Sequence, residues 1–408
     1  MDNDKGRRRT HTQAATPWLP LESHDEEIPF YPRKPDQAVL QLRGHQNILA
    51  STIVPTSSFD GMALPTQGHS FDKWWSAGSN LFAGRTILDG IHAFAMLILC
   101  LFKTYLATPA KSNWPGWNRI ETLFVFGDSY STTEFNIAGK QPSHANPLGN
   151  PAYPGGTSSN GPNWVDFLTT TYNESFVQTY NLAVGGATVD SDLVKPFLPT
   201  VPSLKQQVED RFVSHYAHSG PAVWKANTTL FSIFIGINDV GNSFQRKGAS
   251  LNAAILNAYS TVIDQLYKYG ARNFLFLNVI PMDRVPRTVD GGRKSIRAAR
   301  ECVIDFNLRI DKMVANFTKT YADVTAFQFD THALFSQVLN NPTVFPETKA
   351  YENVTDWCGK YERGTKHWDS FDKACGVKVD EHLWLNNLHP TYPVHNATAR
   401  QIALQLGI

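Results

Sequence analysis

The chain has 408 residues, 42% hydrophobic and 18% charged, and its 37 basic against 36 acidic residues leave a formal net charge of +1. That balance excludes a wholly disordered chain and one drawn to nucleic acid or anionic lipid by its overall field. Glycine (27) and proline (24) are ordinary in number, so the chain is neither collagen-like nor a proline-rich spacer.

Residues 1–90 lack sustained periodicity and open on a basic cluster, Lys5, Arg7, Arg8 and Arg9. They are read as an irregular N-terminal extension or as an artefact of an upstream start codon. Segment 91–110 contains the apolar run Ala93–Phe102 (AFAMLILCLF), which Lys103 interrupts. A bilayer needs about 20 apolar residues, whereas the apolar core of a secretory signal needs about 7–15. Three readings stay open: a signal peptide whose true start lies downstream, for example at Met96, an uncleaved signal anchor over 91–108, or a buried apolar stretch. Residues 111–408 are expected to form one domain.

Export has independent support. Five N-x-S/T sequons stand at Asn173, Asn227, Asn316, Asn353 and Asn396. Of the four cysteines, Cys100 lies in the apolar run, and Cys358 and Cys375 flank a polar, aromatic-rich loop where a disulfide is expected. Cys302 is left as a buried thiol on a helix. No C-x-x-C pair, HExxH or zinc-spaced cluster occurs, so no metal is expected. The expected location is extracellular, with membrane anchoring by 91–108 as the alternative.

From residue 120 onward strands and helices alternate. Thr122–Phe126, Asn181–Val184, Leu230–Ile235, Phe274–Ile280 and Ala326–Asp330 read as strands. Leu251, Ile255, Ala258, Val262 and Leu266 mark one amphipathic helix. Ile296, Ala299, Val303, Phe306, Ile310, Met313 and Phe317 mark a longer one. Helices follow over Thr331–Leu339 and about Thr391–Leu406, and a further one is expected just after Ser129. The alternation implies α/β architecture with a parallel sheet, whose ligands bind at the carboxyl ends of strands.

Four short stretches sit at such ends. Ser129, after Gly127-Asp128, can present a hydroxyl, although a serine before a helix is commonly an N-cap. Gly185-Gly186 can bring a backbone N–H to a ligand oxygen or be a plain turn. Asn238, in Gly236-Ile237-Asn238-Asp239, can donate to an oxyanion or serve an Asx turn. His389 can act as general base. In chain order these are nucleophile, two oxyanion donors and base, the inventory of acyl transfer.

The four stretches read FVFGDSYS, NLAVGGATVD, FIGIND and LWLNNLHPT. Together they resemble the blocks of the GDSL esterases and lipases, also called SGNH hydrolases, over roughly residues 114–408. More narrowly, WPGWNRIETLFVFGDSYSTTEF with WLNNLHPTYPVH is similar to the fungal acetylesterases of carbohydrate esterase family 16. The absence of a G-x-S-x-G elbow argues against an α/β-hydrolase. The resemblance implies a flavodoxin-like three-layer α/β/α sandwich with a mostly parallel central sheet. It implies Ser129 as nucleophile, His389 as base, and Gly186 and Asn238 as oxyanion donors with the Ser129 N–H, Gly185 being the alternative glycine. No cofactor is implied. The implied substrate is an acetylated oligosaccharide or another small ester, acted on by a monomer that binds no nucleic acid and has no membrane partner unless 91–108 is an anchor. A lipase or phospholipase acting on longer acyl chains is the competing reading.

One position departs from the family. Its last block usually reads Asp-x-x-His, and here Asn386 stands for the Asp. An Asn carbonyl can accept the imidazole Nδ1–H but cannot neutralise an imidazolium. Either Asn386 orients His389, or another acid such as Asp380 or Glu381 does, or the pair works as a dyad. Trp114, Trp117, Tyr153, Trp164 and Trp384 are candidates for sugar-stacking walls, against the alternative of core packing.

Overall fold

In a computed structural model, the structure describes residues 114–218 and 222–407. The extension 1–90, the apolar segment 91–110 and Cys100 lie outside the described residues. Five strands form one sheet: β1 (Thr122–Gly127), β2 (Gln178–Asn181), β3 (Thr229–Phe234), β4 (Asn273–Leu277) and β5 (Thr325–Phe329). Their order is β2-β1-β3-β4-β5 and every pairing is parallel. Strands β1, β3 and β4 are buried along their whole length. Near-continuous runs of Phe, Leu, Val and Ile suit a parallel sheet covered on both faces.

The helices make the two outer layers. Helix α1 spans Trp164–Thr170, and α2 (Leu204–Gln206) runs on as a π-helical segment over Gln207–Val213. Then come α3 (Ile237–Ser243), α4 (Asn252–Lys268), α5 (Pro286–Val289), α6 (Gly292–Thr320), α7 (Thr331–Asn340) and α8 (Tyr392–Leu406). Helices α2, α4 and α6 pack in one row and α1, α8 and α7 in another. The result is a three-layer α/β/α sandwich. Phe212 of the π-helical segment meets Phe124 of β1 edge-on at 5.1 Å, and Phe317 of α6 meets Phe274 of β4 in the same way. Helix α6 buries Ala299, Val303, Phe306, Ile310, Met313 and Phe317 of the stripe that the spacing predicts, together with Cys302, while Ile296 is half-buried.

Three local expectations change. Strand β2 is Gln178–Asn181 rather than Asn181–Val184. The more apolar residues that follow only trail along β1, with Leu182 N donating to Val125 O at 2.7 Å and Val184 N to Gly127 O at 3.1 Å. Strand β4 stops at Leu277, because the Val279 N–H is taken by Asn307 Oδ1 rather than by the ladder. No helix follows Ser129. Asp128 Oδ1 accepts the Tyr130 N–H, and the Ser131 and Thr132 carbonyls accept side-chain N–H groups from Asn163 and Asn181. Acceptors that would continue a helix are thereby occupied, and the chain makes one turn and leaves.

The tryptophans answer mostly to the core. Trp117, Trp164 and Trp384 are 0–1% exposed, and each indole N–H donates within the fold: to Tyr172 O, Ser131 Oγ and Val354 O. Trp114 packs on Phe327 at 4.8 Å. Only Tyr153, 42% exposed, keeps a face for a ligand. Cys358 and Cys375 form the expected disulfide, and Cys302 is buried and free.

Candidate active site

The chain runs from β1 out to the edge strand β2 and back to β3 on the other side of β1. The carboxyl ends of β2, β1 and β3 therefore border the point where strand order reverses, the usual crevice of such sheets. Ser129 follows β1, Gly185-Gly186 follows β2, and Asn238 opens α3 after β3. His389 reaches the same place from the long segment between α7 and α8.

The approach to Ser129 is clamped from below. The Gln207 side-chain amide bonds to both backbone groups of Gly127, Nε2 donating to its carbonyl at 2.8 Å and Oε1 accepting its N–H at 3.0 Å. Asp128 is fully buried, and its Oδ2 meets no donor among the described residues. Burial pushes this carboxyl up to about 8, so it holds a proton at neutral pH. Asp239, at the start of α3, is likewise pushed to about 7 by burial.

The imidazole stands in line with the serine. His389 Nε2 lies 2.8 Å from Ser129 Oγ, and Nδ1 lies 3.1 Å from Asn386 Oδ1. Asn386 Oδ1 also accepts the N–H groups of Leu388 at 3.0 Å and His389 at 2.8 Å. Two backbone donors identify that atom as oxygen, so Nδ1 carries the proton and Nε2 offers its lone pair to the serine hydroxyl. The other acids considered are engaged elsewhere. Asp380 Oδ2 accepts from Tyr392 Oη, and Glu381 Oε2 accepts from the Lys378 N–H. Burial, helped by the Arg287 guanidinium, pulls His389 down to about 4, so the free base prevails at neutral pH.

The donor side is equally organised. Asn238 Nδ2 spends one hydrogen on Ala187 O at 2.9 Å, while both Asp239 carboxyl oxygens accept the Val189 N–H at 3.1 Å. The loop after β2 and the first turn of α3 are thus tied together, and the second Asn238 hydrogen stays available. The N–H groups of Ser129, Gly185 and Gly186 have no acceptor among the described residues. A Cβ on Gly185 would lie 3.8 Å from Ser129 Cβ. Gly186 adopts φ 81°, and a Cβ there would come within 2.4 Å of Phe197 Cβ.

Sequence reading missed Gln207, Tyr130 and Arg287. Tyr130 Oη donates to Leu388 O at 2.6 Å, joining the serine turn to the histidine turn. Gln207 and Arg287 stand outside every block and Tyr130 stands inside FVFGDSYS, but the part of each depends on contacts between distant segments. Trp368, 41% exposed, lies 5.9 Å from the ring of Tyr392, three residues beyond His389. Among the described residues no group of three or more His, Cys, Asp or Glu could hold a metal, and no helix is long and apolar enough to cross a membrane.

The model of the GDSL-like lipase/acylhydrolase family matches residues 123–402. An acetylesterase of Thermothelomyces thermophilus is 35% identical over 285 residues, spanning 69% of this chain and 86% of that protein. GDSL esterase/lipase 5 of Arabidopsis thaliana is 23% identical over 360 residues, spanning 76% and 90%. Among solved structures, a carbohydrate esterase family 2 enzyme of Myceliophthora fergusii aligns with a TM-score of 0.35 and 14% identity, covering 70% of this chain and 65% of that one.

Proposed function

Because this chain belongs to the GDSL-like lipase/acylhydrolase family and is a carboxylic ester hydrolase, we propose that it is a secreted serine acetylesterase that deacetylates partly acetylated carbohydrates. The observation that carries the chemistry is the chain Ser129 Oγ, His389 Nε2, Nδ1, Asn386 Oδ1, with its two contacts of 2.8 and 3.1 Å. Its end lies beside N–H groups that have no acceptor of their own.

In this reading Ser129 Oγ attacks the acyl carbon as its proton passes to His389 Nε2. The carbonyl oxygen becomes an oxyanion held by the Ser129 N–H, the Gly185-Gly186 backbone and the Asn238 amide. The imidazolium then protonates the departing alcohol oxygen, which leaves an acyl-serine. Water attacks that ester, His389 takes its proton, and the same proton returns to Ser129 as the acid departs. Asn386 holds the tautomer this requires and adds no negative charge. Neither Asp380 nor Glu381 is needed, and the site works as a Ser-His pair with a neutral orienting amide.

The acetyl preference is supported by the 35% identity to the acetylesterase of Thermothelomyces thermophilus. The Trp368–Tyr392 pair offers a surface on which a sugar ring can stack. Export is supported by the Cys358–Cys375 disulfide and by sequons whose Asn227 and Asn316 are exposed. A second reading, longer acyl chains, has its own observation: Phe197 and Leu198, 66% and 47% exposed, on the loop that packs against Gly186. Hydrolysis of nitrophenyl esters from acetyl to palmitoyl by the full chain, with Ser129→Ala as blank, separates the two. A rate that peaks at acetyl and vanishes in the variant is expected. A peak at eight carbons or more moves the function to the lipase reading, and unchanged hydrolysis by Ser129→Ala removes the nucleophile assignment.

A further inference from the structure

Arg287 lies on the short helix α5, far in sequence from every block that carries the chemistry. Its backbone N–H donates to Asn387 O at 2.9 Å, inside the turn that holds Asn386 and His389. Its side chain runs the other way, and Nη2 donates to Gly241 O at 3.1 Å, on α3, the helix that carries Asn238. A Cβ on Gly241 would come within 2.8 Å of that Nη2, so the glycine leaves the room the guanidinium occupies. The remaining guanidinium N–H groups meet no acceptor among the described residues. No carboxylate forms an ion pair with it there.

We propose that Arg287 is a positioning residue of the esterase site, tying the turn of Asn386 and His389 to the helix that carries Asn238, with its positive charge acting on the imidazole. The inference rests on the serine-esterase reading of the same site.

The bridge joins the two halves that must keep register during acyl transfer, the base and the side-chain oxyanion donor. A small shift of either from the reacting carbonyl is costly. The cation acts on the proton inventory. A positive charge near an imidazole disfavours its protonated form, and Asn386 supplies no opposing negative charge. The other groups facing His389 do not offset it. The Tyr130 ring, 5.8 Å away, belongs to a phenol that burial holds well above its ordinary range. His395, from α8, is buried and pulled down to about 3, so it is neutral. Asp128 bears on Tyr130 and Asp239 rather than on the imidazole. Arg287 thus adds to burial in keeping the base unprotonated in mildly acidic solution, at the cost of opposing the imidazolium that forms in each step.

The test uses the full chain, 4-nitrophenyl acetate, and the variants Arg287→Met and Arg287→Lys. The pH dependence of kcat/KM is measured from about 3.5 to 8, and the His389 ring is titrated by NMR, assigned with His389→Gln. In Arg287→Met the acid limb and the ring titration are expected to move up together by roughly one pH unit. The rate on the alkaline plateau should fall about tenfold through kcat, with little change in KM. Arg287→Lys keeps the charge but not the fork that reaches Gly241, so its limb should stay near that of the parent while kcat falls. A limb and a ring titration unmoved in Arg287→Met overturn the inference and leave the esterase reading standing. Hydrolysis that survives Ser129→Ala overturns the serine-nucleophile reading, while the ring titration still reports on the cation. A limb that moves equally in both variants overturns the charge assignment.

Discussion

Asn386 Oδ1 accepts three N–H groups at once, two from the backbone and one from the imidazole. Its replacement by Ala therefore loosens the turn and removes the tautomer lock, but leaves Ser129 and the base in place. Asn386→Ala is expected to lower kcat by about 10²-fold, at least tenfold less than His389→Ala, since orienting groups cost less than reacting ones. Equal losses in the two variants would count against a Ser-His pair. Asn386→Asp retains the acceptor and brings a negative charge to Nδ1–H, which favours the imidazolium. Activity should survive, with the acid limb of kcat/KM moving to higher pH. On the oxyanion side, Asn238→Ala is expected to cost about 10²–10³ in kcat. Gly185→Ala meets only ordinary contacts, so it reports on the hole itself. Gly186→Ala puts a side chain at φ 81° and against Phe197, so its first effect is a lowered Tm.

The decisive element is the segment between α7 and α8, which has little regular structure. Cys358 and Cys375 close a hairpin inside it and border a small cluster of Tyr361, Val379 and Leu385. Leu385 immediately precedes Asn386, and the Glu362 carbonyl within the hairpin lies 3.5 Å from Asn386 Nδ2. The covalent link thus supports the side of the amide that faces away from His389. A loop of this size contributes about 3 kcal/mol of chain-entropy stabilisation. The double variant Cys358→Ser, Cys375→Ser is expected to have a lower Tm and a several-fold lower kcat. In an Asn386→Asp background the loss of rate should be smaller, because a carboxylate has no wrong face to present. The same proportional loss in both backgrounds would show that the hairpin stabilises the fold without orienting the amide.

At the scale of the whole fold, three carboxyls among the described residues are buried and pushed far above the ordinary range. Asp128 and Asp166 are pushed to about 8 and Asp239 to about 7, all chiefly by burial. Each therefore holds a proton in the folded chain that the unfolded chain releases near its ordinary value. Their contribution is full below about pH 4 and is lost as pH rises through 7 and 8. His389 and His395 work oppositely: they are held neutral, and their contribution is lost as pH falls below about 6.5 toward 4 and 3. Of these five groups the carboxyls are the ones that change between pH 6.5 and 8.5, so Tm should fall across that window. Asp128→Asn keeps an acceptor for the Tyr130 N–H and has no proton to lose, so its Tm curve should be flatter. A curve parallel to that of the parent would exclude Asp128 as a source of the slope.

Much of this was legible in the residues themselves. Phe and Leu runs bounded by glycine mark buried parallel strands, the spacing from Ile296 to Phe317 marks α6, and four short blocks offer Ser129, the Gly185-Gly186 pair, Asn238 and His389 as candidates. These are local signals, set by periodicity and by the residue types acyl transfer needs. The helix expected after Ser129 failed because its carbonyls are claimed by Asn163 and Asn181, which lie 30 to 50 positions away in sequence. Trp117, Trp164 and Trp384 could have stacked on sugars, but the packing of the layers buries them. The choice between Asn386, Asp380 and an unsupported histidine, and the parts of Gln207, Tyr130 and Arg287, belong to the tertiary structure alone. Each depends on a hydrogen bond or a charge acting between segments that meet only when the sheet and the long turn before α8 come together, and no local pattern records such a contact.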